Sequence, residues 1–165
     1  MRKLFLVTTS CILFVGTGAL AQNSRSGVGT WKLDLPQSDF GCEPALKSAT
    51  INILEDRPEM LSWRVHLIDA KGNVVSYSWS GPRDGSMHPV KENGRVIAQQ
   101  SAKKDNEGAL LRHGESPEGE SFDAREVLSA DGNTMTDEIT QKSKDGKVCN
   151  EKYVYHKASG GAHEH

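Results

Sequence analysis

No apolar run in this chain reaches the roughly 18 residues that a membrane-crossing helix needs. The longest, Leu4 to Val15, is broken by Thr8, Thr9 and Ser10. No block of basic residues is present, which argues against nucleic acid or an anionic membrane surface as partner. Cysteine is scarce, with three in 165 residues and no Cys-x-x-Cys pair. The six histidines form no His-Glu-x-x-His or comparable set, so neither a metal nor another cofactor is expected. Aromatics make up 6% of the chain and mean hydropathy is −0.55. Such a chain has a thin core and gains from a covalent tie.

Catalytic spacing is missing as well. The stretch from Gly114 to Gly119 superficially resembles a nucleophile elbow, but it lacks the Gly-x-Ser-x-Gly spacing and reads as a loop around Ser116 and Pro117. The carboxylates Glu118, Glu120, Asp137 and Glu138 lie in polar strands and turns and read as ordinary surface charges. His163 and His165 read as part of a polar tail. No enzyme is indicated.

What is present begins with a targeting signal. Arg2 and Lys3 precede the apolar run, and Ala19-Leu20-Ala21 supplies a cleavage site, so residues 1–21 read as a signal peptide. Removing its two basic residues from the 20 in the chain leaves 18 against 22 acidic ones, a net charge of −4. Cys11 falls within the removed segment. Cys42 and Cys149 remain, and in an exported protein, periplasmic or extracellular, they are expected to form one disulfide. Its loop of over a hundred residues is worth roughly 4–5 kcal/mol in the chain-entropy picture. Residues 22–157 are one domain in length, and 158–165 read as a disordered tail.

The domain opens on Gly27 to Leu35, where Trp31, Leu33 and Leu35 alternate with Thr30, Lys32 and Asp34. Pro36 ends it, and the connector to Lys47 holds no helical period beyond one turn near Gln37 to Asp39, with Phe40 as a plug. Alternation then marks Ala49–Leu54, Leu61–Leu67 and Val74–Trp79. Asp84-Gly85, Asn93-Gly94, Asp131-Gly132 and Asp145-Gly146 carry the tight-hairpin signal. With Gly72, Gly108 and Gly119 they recur every 9 to 14 residues, one strand plus one turn. The strands between are Met87–Lys91, Arg95–Ala102, Ala109–His113, Ser121–Leu128, Thr134–Gln141 and Lys147–His156.

Short connections force antiparallel neighbours, and closure removes the two exposed edges of a long meander. The cysteines, one just past the first strand and one in the last, fit that closure. An immunoglobulin-like sandwich fits less well, because its cysteines sit on interior strands. The expectation is an all-β, up-and-down antiparallel meander of about 8–10 strands closed into a barrel.

Gly29-Thr30-Trp31 is similar to the Gly-x-Trp signature of lipocalins. That resemblance implies that Gly29 and Trp31 close one barrel end, with a basic residue of the last strand, Lys152 or Lys157, packed over the indole. The wider pattern resembles a group of small secreted bacterial proteins of unknown function with a lipocalin-like barrel. It comprises Gly29 to Leu33, Ser38, Phe40, Lys47-Ser48, Asp84-Gly85, Pro89-Val90 and Val154 to Lys157. The lipocalin Thr-Asp-Tyr motif is absent, and the strand count is similar to that of the ten-stranded fatty-acid-binding-protein relatives, without their two-helix lid.

Trp63, Tyr77 and Trp79 lie on adjacent strands. Facing inward, they form either packed core or the wall of a cavity. Arg64 and His66 share one face of their strand, and Arg112 and His113 are offered by a later one. An inward Arg64 or Arg112 would need an anionic partner, such as a ligand carboxylate. The leading expectation is a binding protein for a small apolar or amphipathic ligand, with Trp63, Tyr77, Trp79, Arg64 and Arg112 as candidate contacts. The competing class is an interaction or inhibitor module with a filled core. Oligomeric state has no signature here.

Overall fold

A computed structural model describes residues 26–158. Residues 1–21, expected as a signal peptide, and residues 159–165 of the expected tail lie outside the described residues. Ten strands follow one another: β1 (Gly29–Leu33), β2 (Ser48–Arg57), β3 (Met60–Ile68), β4 (Val74–Gly81), β5 (His88–Glu92), β6 (Arg95–Lys104), β7 (Leu110–Glu115), β8 (Ser121–Leu128), β9 (Thr134–Lys142) and β10 (Val148–Lys157). Each pairs antiparallel with its sequence neighbours, and β1 pairs with β10, so the sheet closes. Closure satisfies the backbone groups that an open edge would leave unpaired.

Turn chemistry sets the register. Between β5 and β6, Asn93 and Gly94 both take positive φ, 48° and 81°, the two-residue primed turn that suits the strand twist. Asp84-Gly85 behaves differently from expectation. It lies in a six-residue excursion between β4 and β5, where Asp84 bridges Lys103 of β6 and the Gly85 amide donates to the Ala102 carbonyl at 2.9 Å. The glycine turns the chain there, but β4 and β5 are not joined by a tight hairpin.

The β1–β10 seam runs on beyond β1. Trp31, Lys32 and Leu33 face Lys157, His156 and Tyr155. The connector then continues along β10, with Asp34 N–H donating to Val154 O at 2.8 Å. Asp39 and Lys152 exchange backbone hydrogen bonds at 2.7 and 2.8 Å. The expected helical turn is a single hydrogen-bonded turn two residues earlier, from Leu35 to Ser38. Ser38 Oγ fixes it by donating to Asp34 O and accepting from Val154 N–H. Phe40 packs on Tyr153 at 5.5 Å between ring centroids. The seam ends at the Cys42–Cys149 disulfide, 107 residues apart in sequence.

One end of the barrel is packed shut. Trp31 is fully buried there and its Nε1–H donates to the Gly27 carbonyl at 2.7 Å. Lys157 places its Nζ 5.3 Å from the indole centre, within cation–π range, whereas Lys152 is exposed. Gly29 lets Lys157 lie there, since a Cβ at that glycine would stand 2.8 Å from Lys157 Cε. Met135, Ala102, Leu61 and Trp79 complete the packed layer.

Candidate functional site

Above that layer the alternating inward residues enclose a cavity of about 770 Å³, within the usual range for a small-molecule site. Its mouth is at the other end of the barrel, rimmed by Cys42, Glu43 and Leu46 of the connector and by Lys71, Glu120, Lys142 and Lys147 of the turns. The two halves of its wall differ. From β2 and β3 come Ala49, Ile51, Ile53, Leu61, Trp63, Val65 and Leu67, all apolar. From β6 to β10 come the polar Gln100, Arg112, Glu126, Asp137, Gln141 and Tyr153, set among the apolar Ala98, Leu110, Phe122 and Ile139. The lumen is amphipathic across its width.

Of the expected contacts, Trp63 and Tyr77 line the cavity, their rings edge to face at 5.8 Å. Trp79 does not. It stacks behind Trp63 at 6.3 Å, is 2% exposed, and its Nε1–H is shared between the backbone carbonyls of Gln100 and His88. It is core that backs the wall. Arg64 is also excluded from the lumen. Between the inward Trp63 and Val65 it faces solvent, the side of the strand where a cation keeps its hydration. His66 shares that face and contacts Ser76 Oγ at 2.6 Å. His113 lies outside as well, held between Asp123 and Glu115 at 2.9 and 3.1 Å. Those hydrogen bonds, Glu115 first, raise its pKa above the ordinary histidine value.

Arg112 does point inward. Its anionic partner is the protein's own Asp137, across the lumen wall on β9, while the guanidinium sits 5.9 Å from the Phe122 ring centre. Burial, the largest single effect, lowers an arginine pKa, but Asp137, Glu126 and Tyr77 together more than offset it and the net shift is upward. Asp137, read from sequence as a surface charge, is 3% exposed. Glu126 of β8 faces Asp137 in register. Burial pushes its carboxyl up to about 7, with Arg112 opposing that shift and Asp137 adding to it. Glu151, also inward, accepts from Gln141 Nε2 at 2.8 Å and from the Tyr153 hydroxyl at 2.6 Å. Burial raises its pKa, and these two bonds oppose the rise. Among the described residues, Gln100 Nε2, Arg112 Nε and Asp137 Oδ1 are buried without a hydrogen-bond partner.

Sequence reasoning missed Gln100, Glu126, Asp137 and Glu151, although strand parity marks them. Asp137 alternates in phase with the buried Met135, and Glu126 with the inward Phe122 and Ala124. Among the described residues no cluster of histidine, cysteine and carboxylate side chains has metal-binding geometry, and no helix is long and apolar enough to cross a membrane.

No family model matches this chain. No curated protein matches it either. Among solved structures it is similar to a point mutant of the fluorescent protein UnaG. The sequences are 14% identical, the TM-score is 0.53, and the match covers 80% of this chain and 96% of that one. At that identity the likeness shows the fold, a ten-stranded closed barrel of the fatty-acid-binding-protein type.

Proposed function

We propose that the protein binds one small amphipathic molecule in the lumen of its barrel. The observation that carries this reading is the two-sided cavity, wholly apolar along β2 and β3 and with its buried charged groups confined to β6 to β10. A ligand would lay its apolar body against Ile51, Trp63, Val65 and Leu67 and turn its polar group toward Arg112, Glu126 and Asp137. Burial of that apolar body supplies most of the affinity and the polar group sets orientation. A filled barrel acting only through its outer face is disfavoured by the unfilled volume. The disulfide at the end of the seam supports an exported protein working in an oxidising compartment.

The uncharged apolar dye Nile red tests this directly. It is expected to bind saturably at one site, quench Trp63, and lose affinity about tenfold in Trp63→Ala. Absence of saturable binding, together with bare protein in native mass spectrometry of material from its own host, would refute the reading.

A further inference from the structure

Carboxylates outnumber cations in the cavity wall below the rim. Among the described residues Arg112 is the one cation lining the cavity below the rim; Glu126 and Asp137 line it too, and Glu151 is buried on the inward face of β10. Arg112 is already committed, paired with Asp137 and stacked on Phe122. Glu151 has its two oxygens occupied by Gln141 and Tyr153. Glu126 is different. It lines the cavity and takes no hydrogen bond from any described residue.

The groups around Glu126 do not neutralise it. Arg112 on β7 attracts it, and Lys104 at the end of β6 adds a weaker attraction. Asp137 on β9 and Asp56 on β2 repel it. On β10, the neighbouring Tyr155 is a neutral phenol whose pKa is pushed up, by burial first. Arg112 therefore serves two carboxylates, and one of them lacks a counter-charge. At the rim, Lys71, Lys142 and Lys147 are balanced by Glu43, Asp69 and Glu120, so no basic funnel draws in anions.

We propose that the lumen selects a cationic amphiphile, an apolar molecule bearing one amine or ammonium group, with Glu126 as its counter-charge. The inference rests on the lumen being a ligand site. A carboxylate ligand would have to displace Asp137 from Arg112 and add a further negative charge to a low-dielectric space, where like charges repel far more strongly than in water. An ammonium instead completes the ion pairing, and pairing is what makes a buried charge tolerable. Because the cation binds the ionised form of Glu126, its affinity rises with pH as that carboxyl loses its proton.

The test compares three molecules with one tail: dodecylammonium, dodecanoate and dodecan-1-ol, each competing with Nile red at pH 8. Dodecylammonium is expected to displace the dye at about a tenth of the dodecanoate concentration. Glu126→Gln is expected to erase that preference. In the wild-type protein, dodecylammonium affinity is expected to climb between pH 5.5 and 8, a range in which an alkylammonium stays protonated. Equal displacement by all three, or a preference for dodecanoate, overturns the inference and leaves the lumen reading intact. Failure of Nile red and of all three competitors to bind overturns both. If Glu126→Gln does not fold, the wild-type pH profile and selectivity decide alone.

Discussion

Asp137 and Arg112 form a pair whose halves are unequal in what their loss exposes. Removing Asp137 takes away the one hydrogen-bonded partner of a guanidinium that is buried against the Phe122 ring and cannot shed its charge, leaving it only the unbonded Glu126 carboxyl. Asp137→Ala is therefore expected to destabilise the fold, by less than the roughly 3–5 kcal/mol of an uncompensated buried pair because Glu126 can ionise against Arg112, read as a lower urea midpoint. The stacked tryptophans Trp63 and Trp79 separate by the same kind of reasoning. Trp79 is sealed behind Trp63 with its indole N–H bonded to backbone. Trp79→Ala is expected to lose roughly 3–5 kcal/mol of stability, measured by urea unfolding, whereas Trp63→Ala removes cavity wall and reports mainly in dye binding. At this scale the sequence was legible for apolar residues and illegible for polar ones. Alternation exposed Trp63 and Tyr77 because apolar residues on one parity imply a buried face. A carboxylate on that parity is a rare exception, so residue type marks Asp137 as a surface charge and leaves Glu126 unmarked, where phase places both inside. Arg64 and Arg112 were indistinguishable by type, and only strand phase puts the first outside and the second inside.

Elements owe their placement to the seam between β1 and β10. Strand β1 contributes only five residues to it, a short grip for the closure of a ten-stranded sheet. The connector extends that grip through Asp39–Lys152 pairing and locks it at Cys42–Cys149. Replacing both cysteines with serine is expected to lower stability by roughly 4–5 kcal/mol, from the entropy of a loop this long, with the loss visible as a reduced urea midpoint under non-reducing conditions. Gly41→Ala probes the same seam without touching sulfur. Gly41 has φ of +56°, and an added Cβ would stand 2.1 Å from the Asn150 carbonyl oxygen, so the connector must leave β10. Faster hydrogen exchange at the Asp39 and Lys152 amides is the expected sign. Most strands were legible because alternation and turn glycines are local signals. The Asp84-Gly85 excursion was not, since its partner is Ala102 on another strand, and a non-local bond leaves no mark in a four-residue window. The same holds for the turn from Leu35 to Ser38, which is fixed by Val154 more than a hundred positions away.

Across the whole molecule, proton binding should give stability a maximum on the acid side of neutrality. Asp69, Asp84, Asp131 and Asp145 sit in turns, where side-chain and backbone hydrogen bonds hold their pKa values below the usual carboxylate value. Groups lowered in the folded state contribute stability above their unfolded pKa and lose it as pH falls through the folded one. Glu126 works in the opposite sense. Its folded pKa of about 7 lies above the ordinary 4.5, so the native state holds the extra proton and stability falls as pH rises across that interval. Glu151 is raised as well, and its contribution has the same sign. His113, raised by Glu115 and Asp123, adds stability that is lost as pH climbs through its folded pKa. The ligand-free protein is therefore expected to be most stable near pH 5, where the turn aspartates are ionised and Glu126 is protonated. It should weaken by roughly 1–3 kcal/mol toward pH 8. Glu126→Gln, which cannot ionise, is expected to remove most of that slope and to exceed the wild type in stability at pH 8. Urea midpoints measured from pH 4 to 8 for both proteins check the claim, and parallel curves would show that Glu126 titrates as an ordinary exposed carboxyl. The group that destabilises the empty barrel at neutral pH is the same one assigned to receive a cation. Binding and folding thus share one proton, and dodecylammonium should raise the urea midpoint more at pH 8 than at pH 5.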